Sequence, residues 1–344
     1  MSASFFKFIY SQLITRLPYP NTSFADQTLI VTGSNVGLGC EAARHFTRLG
    51  AAKVILAVRN LEKGNAAKQS IEESTGRKNG VVEVWPLDLS SYDSVQAFAK
   101  KASELPRLDV LLENAGIATD KYTGLEDNES TITVNVISTF LLAFLLLPKL
   151  RETGQKFNNT PQPPHLVIVS SEVHFATSLP EKSAPEGKIL STLNDKSTAN
   201  MSDRYNVSKL LEVFFVRELA SYSPPPSQRT QHGSGKAKGK GGVIINFLNP
   251  GLCHSELARD AGWGLYLLKA VLARTTEHGS RTLVHASMAG EESHGQYMSN
   301  CEVSEVAPLV QKDEAEQGGK LQKRVWDEIV AKLESIQPGV TKNV

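Results

Sequence analysis

Residues 28–46 read TLIVTGSNVGLGCEAARHF. An apolar, β-branched run ends in Gly33, a short turn carries Gly37 and Gly39, and an amphipathic helical pattern follows. A strand-to-helix turn of this kind aims unpaired backbone N–H groups and the positive end of the helix dipole at one point. That arrangement suits a pyrophosphate. Glycine permits the tight turn and lets a ligand approach the backbone closely. The glycines carry this meaning because they lie between a strand and a helix in the first βαβ unit of the chain. Gly33, Ser34, Asn35, Gly37, Leu38 and Gly39 are therefore candidate ligand contacts.

Working outward, the same rhythm repeats. TLIVTG, KVILAV, VVEVWPLD, DVLLENAG, HLVIVSS and VIINFLNPG read as strands, and Cys40–Leu49, Leu61–Ser74 and Ser94–Ser103 read as amphipathic helices. Strands alternating with helices predict an α/β, Rossmann-type doubly wound parallel sheet. The near-continuous apolar strands fit a sheet covered on both faces. The expected organisation is an N-terminal amphipathic extension (1–25), one Rossmann domain (26–310) and a C-terminal helical extension (311–344). In that extension Val325, Trp326, Ile329 and Leu333 fall on one side.

The chain has 344 residues, 40% hydrophobic and 21% charged, with a formal net charge of +1. This balance gives no sign of a nucleic-acid partner. The three cysteines, Cys40, Cys253 and Cys301, are far apart and form no CxxC, so neither a disulfide framework nor a metal site is expected. A reducing, cytoplasmic setting follows. The N-terminal apolar residues are interrupted by Lys7, Ser11, Gln12 and Arg16, and FLLAFLLLP (140–148) is short. Neither is expected to cross a membrane, and loose surface contact by the first is the alternative to packing on the body.

Two further spots carry chemistry. The second strand ends Ala57, Val58, Arg59, with no acid where an NAD-binding fold usually holds the ribose hydroxyls. A guanidinium there suits a 2′-phosphate. Farther on, DRYNVSKLLEVFF (203–215) sets Tyr205 and Lys209 one helical turn apart on one face.

With these pieces the chain resembles the short-chain dehydrogenase/reductase family over Gln27 to about Ala289. It is most like its retinol-dehydrogenase-like branch, fungal members included. The resemblance rests on TGSNVGLG, DLS (88–90), NAG (114–116), Asn135 in TVNVIST, the Ser170–Ser171 pair, Tyr205-x-x-x-Lys209 and NPG (249–251), all in order. It implies an NADP(H) cofactor and a tetrad of Asn135, Ser171, Tyr205 and Lys209. Tyr205 would exchange a proton with the substrate oxygen, Ser171 would hold that oxygen, and Asn135 would anchor a proton relay to Lys209. Operation near neutrality asks for a phenol more acidic than the ~10 of free tyrosine, and Lys209 is expected to make it so. The resemblance extends the cofactor contacts to Arg59, Asp88, Asn114, Tyr205, Lys209 and Pro250.

The resemblance also implies a substrate lid at about 252–280, where Trp263, Leu265, Tyr266, Leu267, Leu268 and Val271 suit a lipophilic carbonyl or alcohol. The long interval from Ser171 to Tyr205 places 175–200 over the site. SPPPSQRTQHGSGKAKGKGG (223–242) reads as a flexible surface loop. NAD-dependent oxidation and a non-catalytic dinucleotide-binding scaffold are the alternatives. A homodimer and a monomer both fit.

Overall fold

The predicted strands assemble into one eight-stranded sheet, ordered β10-β9-β8-β7-β4-β1-β2-β3. The computed structural model describes residues 9–78, 80–157, 162–229, 242–254, 257 and 272–344. The strands are β1 (Thr28–Thr32), β2 (Lys53–Val58), β3 (Val82–Pro86), β4 (Val110–Glu113), β7 (His165–Val169), β8 (Ile244–Asn249), β9 (Tyr297–Ser299) and β10 (Glu302–Ser304), while β5 (Gly124–Leu125) and β6 (Asn128–Glu129) form a separate small hairpin. The helices are α1 (Gly37–Arg48), α2 (Leu61–Thr75), α3 (Tyr92–Ser103), α4 (Ser130–Lys156), α5 (Ile189–Leu193), α6 (Met201–Tyr222), α7 (Thr276–Ala286), α8 (Pro308–Gln317) and α9 (Lys320–Ile336). All pairings in the large sheet are parallel except β9 with β10.

The chain runs β1, β2, β3 toward one edge and then returns to lay β4 on the other side of β1. This reversal makes the crevice at the carboxyl ends of β1 and β4 the expected ligand position. Strand residues alternate between two cores. Leu111, Ile168 and Phe247 face α3, α4 and α6, whereas Leu112, Val167 and Leu248 face α1, α2 and α7. Each fully buried large apolar side chain contributes on the order of 1.5–3 kcal/mol.

The run FLLAFLLLP belongs to a longer helix than its own length suggests. The helix Ser130–Lys156 is long and apolar enough to cross a membrane, but its most apolar window is 94% buried inside the protein. It is a core element. Within it, Thr133–Ser138 takes π-helical geometry, and the Thr139 hydroxyl donates to the Val134 carbonyl. Farther on, Pro148 has no N–H to offer the Phe144 carbonyl four residues back. The side-chain amide of Asn343 donates to that carbonyl instead, at 3.1 Å.

Two short strands escape sequence reading. β9 and β10 are joined by Asn300 and Cys301, with φ of 53° and 69°. A two-residue hairpin turn with both central φ positive is usually written Asn-Gly or Asp-Gly. Here Cys stands in the glycine place, and the strands are three residues each.

The segment 9–13 is helical, and Gln12 and Leu17 are buried against the body. Buried Arg274 donates to the Ser11 carbonyl and to Asn300 Oδ1, both at 2.7 Å. The insertion 175–200 is tied along a flank: the backbone N–H groups of Ile189 and Leu190 donate to Glu328 of α9, and Leu179, Ile189 and Leu193 are buried. Most of the 223–242 loop lies outside the described residues. So do the lid residues Trp263, Leu265, Tyr266, Leu267, Leu268 and Val271.

The C-terminal helices join the main core. Val325, Trp326, Ile329 and Leu333 are all buried on the inner side of α9. Trp326 meets Phe215 at 4.6 Å between ring centroids, Phe144 at 5.9 Å and Tyr222, nearly stacked, at 5.1 Å. Trp326→Ala should therefore cost about 3–5 kcal/mol, read as a lower urea midpoint in one cooperative transition. Two transitions, or an unmoved midpoint, would show the extension to be a separate module.

Candidate active site

The glycine turn is shaped by what stands next to it. Gly33 has φ +63°, and a Cβ there would come within 2.9 Å of the Ala115 backbone. A Cβ at Gly39 would lie 2.5 Å from the Asn114 side-chain nitrogen. That nitrogen donates to the carbonyls of Thr32 (2.9 Å) and Gly33 (3.3 Å), and Thr32 Oγ1 accepts from the N–H groups of Asn114 and Ala115. The NAG segment is thus a brace that holds the turn open. Gly37, with φ +65°, has open space where a Cβ would be. No side chain caps the N-terminus of α1, and its first turn holds no acid. These unclaimed N–H groups fit a pyrophosphate.

Ser34 is fully buried and its hydroxyl donates to the Val31 carbonyl at 2.7 Å, so that donor is turned inward. The Asn35 side chain makes no hydrogen bond among the described residues. Exposed Arg59, directly after β2, has no ion pair or hydrogen bond there either, and its guanidinium is free to meet an anion. Asp88 holds its own turn, accepting through Oδ1 from the N–H and hydroxyl of Ser90. On the opposite side, a Cβ at Gly279 would strike Cys253 and Leu38 and would lie 3.6 Å from the Pro250 carbonyl. Leu38 and Pro250 therefore close over the same carboxyl edge of the sheet.

The catalytic candidates gather at the ends of β4 and β7. Ser171 follows β7 and begins the 3₁₀ turn Glu172–Phe175, where its hydroxyl accepts from the Val173 N–H. Ser170 is turned away, and its hydroxyl donates to the Lys209 carbonyl at 3.2 Å. That geometry leaves the substrate side to Ser171. Asn135 lies in the π-helical turn and is fully buried. It accepts from the Ile117 N–H (2.9 Å) and donates to the Ile117 carbonyl (2.9 Å) and to Ser208 (3.1 Å). Its amide is spent on positioning the chain after NAG, next to Lys209. π-Helical turns of this sort are frequent at functional sites.

Lys209 is 4% exposed, and its ammonium donates to the Val169 carbonyl at 2.9 Å and to Glu212 Oε1 at 2.8 Å. It stands 5.7 Å from the centre of the Tyr205 ring. The expected direction for the phenol needs correcting. Burial raises Tyr205 above the ordinary tyrosine value; Lys209 and the nearby Ser171 hydroxyl pull it down, Glu212 pushes it up, and the net shift is upward. The main reason is burial of the phenol, which outweighs the pull of Lys209, and the buried Glu212 carboxylate adds to it. Tyr205 is therefore held as a protonated acid at neutral pH. For Lys209, burial works against the charge, but Glu212 and Tyr205 more than reverse that, and its pKa is raised.

Sequence reading passes over three residues here. Glu212, three positions after Lys209, is 2% exposed, and Glu113, the last residue of β4, is 3% exposed. An acid inside otherwise apolar LLEVFF and DVLLE is the signal that was available. The third is His174, buried behind Ser171. Its Nδ1 lies 2.6 Å from the Ser171 carbonyl, and its Nε2 accepts from the Ala307 N–H at 3.2 Å. Burial pushes the imidazole down to about 4, so it is neutral with the proton on Nδ1, a fixed strut behind the serine.

The described residues hold no cluster of His, Cys, Asp or Glu suited to a metal ion. Among known proteins, the short chain dehydrogenase family model matches residues 27–172. The chain is 53% identical to a short chain dehydrogenase/reductase of Cryptosporiopsis sp., dmxR8, over 98% of this chain and 99% of that one. It is 47% identical to the short chain dehydrogenase atnD of Emericella nidulans, over 86% and 90%. Similar solved structures include an uncharacterized protein from Mycobacterium paratuberculosis, with 25% identity, a TM-score of 0.62, and 92% and 95% of the two chains covered. A Shigella flexneri short chain dehydrogenase complexed with NADP aligns with a TM-score of 0.56 at 23% identity, over 82% and 100%. Identity of 53% and 47% to these fungal short chain dehydrogenases, over most of both chains, makes this chain a member of the short-chain dehydrogenase/reductase family, an oxidoreductase similar to fungal ones.

Proposed function

We propose that the chain is an NADP(H)-dependent oxidoreductase that interconverts a lipophilic carbonyl and a secondary or primary alcohol, in fungal secondary metabolism or a retinoid- or steroid-like conversion. The observation that carries the reading is the convergence of Ser171, Tyr205 and the doubly anchored Lys209 ammonium at one sheet edge, braced by Asn135. When bound, the nicotinamide supplies or accepts the hydride. Ser171 holds the substrate oxygen by a hydrogen bond. Tyr205 gives its proton to that oxygen in reduction and takes one back in oxidation. Lys209 keeps a positive charge beside the phenolate that reduction leaves behind. Phe175, four positions beyond Ser171, keeps 42% of its surface exposed, which supports an apolar substrate.

Arg59 supports the choice of cofactor. Its unpaired guanidinium follows β2, whose carboxyl end faces the adenosine ribose in this fold. The NADP in the Shigella flexneri structure agrees with that reading.

Two variants test these assignments. Tyr205→Phe should lower carbonyl reduction by at least ~10²-fold while NADPH binding, followed by fluorescence titration, persists. Near wild-type turnover would remove Tyr205 from the acid role. Wild type should prefer NADPH to NADH by at least ~10²-fold in kcat/KM, and Arg59→Asp should reverse that order by repelling the phosphate. Equal use of NADH by wild type would favour the NAD-dependent alternative. Absence of any turnover across a panel of hydrophobic ketones and aldehydes would favour a binding scaffold.

A further inference from the structure

Behind the catalytic lysine lie two carboxyl groups that the chemistry above does not use. Glu113 and Glu212 are both buried, and they approach from different elements, the end of β4 and the middle of α6. Glu113 follows Leu111 in strand alternation, so it points to the face covered by α4 and α6. Glu212 occupies that face, with Oε1 on the Lys209 ammonium at 2.8 Å. Among the described residues, neither oxygen of Glu113 has a hydrogen-bond partner, and neither does Glu212 Oε2. Three buried carboxyl oxygens without partners would be costly if both groups were ionised.

We propose that Glu212 is a positioning residue for Lys209 and that Glu113 stays protonated near it, so that a single buried carboxylate holds the ammonium charged and in place during proton transfer. This inference rests on the proposed reaction.

The charge count argues for it. One cation faces two buried acids, so one proton between the acids leaves the group neutral overall, and a buried like-charge pair avoids double ionisation in this way. Burial first, then the Glu212 charge, holds Glu113 well above the usual carboxylate range. Burial pushes Glu212 up to about 7 despite the opposing pull of Lys209 and the nearby Ser170 hydroxyl. The titratable groups acting on the pair are Lys209 and Tyr205 on α6 and the two carboxyls themselves. β7 and α4 contribute the uncharged Val169 carbonyl, Ser170 and Asn135.

Glu212→Gln keeps the shape and the acceptor oxygen but removes the charge. Because Glu212 raises both Tyr205 and Lys209, its loss lowers both. The alkaline fall of kcat/KM for carbonyl reduction should then move to lower pH by about one unit or more, with NADPH affinity unchanged. Glu212→Asp draws the carboxylate back while keeping it, and should move the fall by less. Glu113→Gln imitates a protonated acid and should leave the profile in place. In infrared spectra of the cofactor-free protein at neutral pH, a protonated-carboxyl band should be present in wild type and lost in Glu113→Gln. A purely structural role would lower stability without moving the pH profile. An unmoved alkaline limb in folded Glu212→Gln overturns the positioning role, as does an unmoved limb in Glu212→Asp if the Gln variant does not fold. Absence of the infrared band overturns the protonated Glu113. If Tyr205→Phe is fully active, the proposed reaction itself has failed. If Tyr205→Phe is inactive and the Glu212 variants are silent, only this inference has.

Discussion

A lysine ammonium with almost no access to water links the strand end and the helix that carry the candidate catalytic residues. Moving such a charge out of water costs several kcal/mol unless partners replace its hydration. Lys209 has two: the carbonyl at the end of β7 and the carboxylate of Glu212. The first exists at that place because β7 is paired in register between β4 and β8. The second exists because residues three apart on α6 share a face. The ammonium thus fixes the helix against the strand end. Tyr205, one turn earlier, and Ser171, two residues past the strand, are placed relative to each other by that link. Burial, more than anything else, keeps the Tyr205 phenol from being acidified by this neighbour, and the Glu212 carboxylate adds to that effect.

The cofactor end follows a different logic, in which backbone rather than charge is braced. Asn114 and Asn135 direct their side-chain amides at main-chain groups, of Thr32 and Gly33 in one case and Ile117 in the other. Between them they fix the path of 114–117 as it passes from the glycine turn to the lysine. A larger residue at Gly33 or Gly39 would displace this path before it met any ligand. His174 extends the scheme, since its neutral ring holds the Ser171 carbonyl from behind.

The six long strands, their helices and the side-by-side placing of Tyr205 and Lys209 are legible in the sequence because each rests on local signals: apolar runs, glycine at a strand end, Tyr and Lys one turn apart. What is not legible depends on tertiary context. The β9–β10 hairpin hides because Cys301 adopts a positive φ that sequence patterns assign to glycine. The π-helical turn around Asn135 leaves no mark in an apolar stretch that reads as ordinary helix. FLLAFLLLP understates its helix, since residues on both sides extend it to Ser130–Lys156. The sign of the Tyr205 shift could not be read from its pairing with Lys209. It depends on Glu212 and on burial, and both become visible only once α6 is packed on the sheet.

The bond between Asn343 and the Phe144 carbonyl bears on how the chain is made. Pro148 leaves a gap in the hydrogen bonding of the central helix, and the group that fills it lies 199 residues farther along. A ribosome that has finished the helix has not yet made its missing donor, nor Trp326, which packs against the same Phe144. Strands β1 to β4 and the helices between them can form as they emerge, whereas the core around α4 must wait, one side open, until α9 and the turn after it are released. Until then the α4 face that meets α9 lacks its cover, and open apolar surface of that kind makes an incompletely folded chain prone to aggregate.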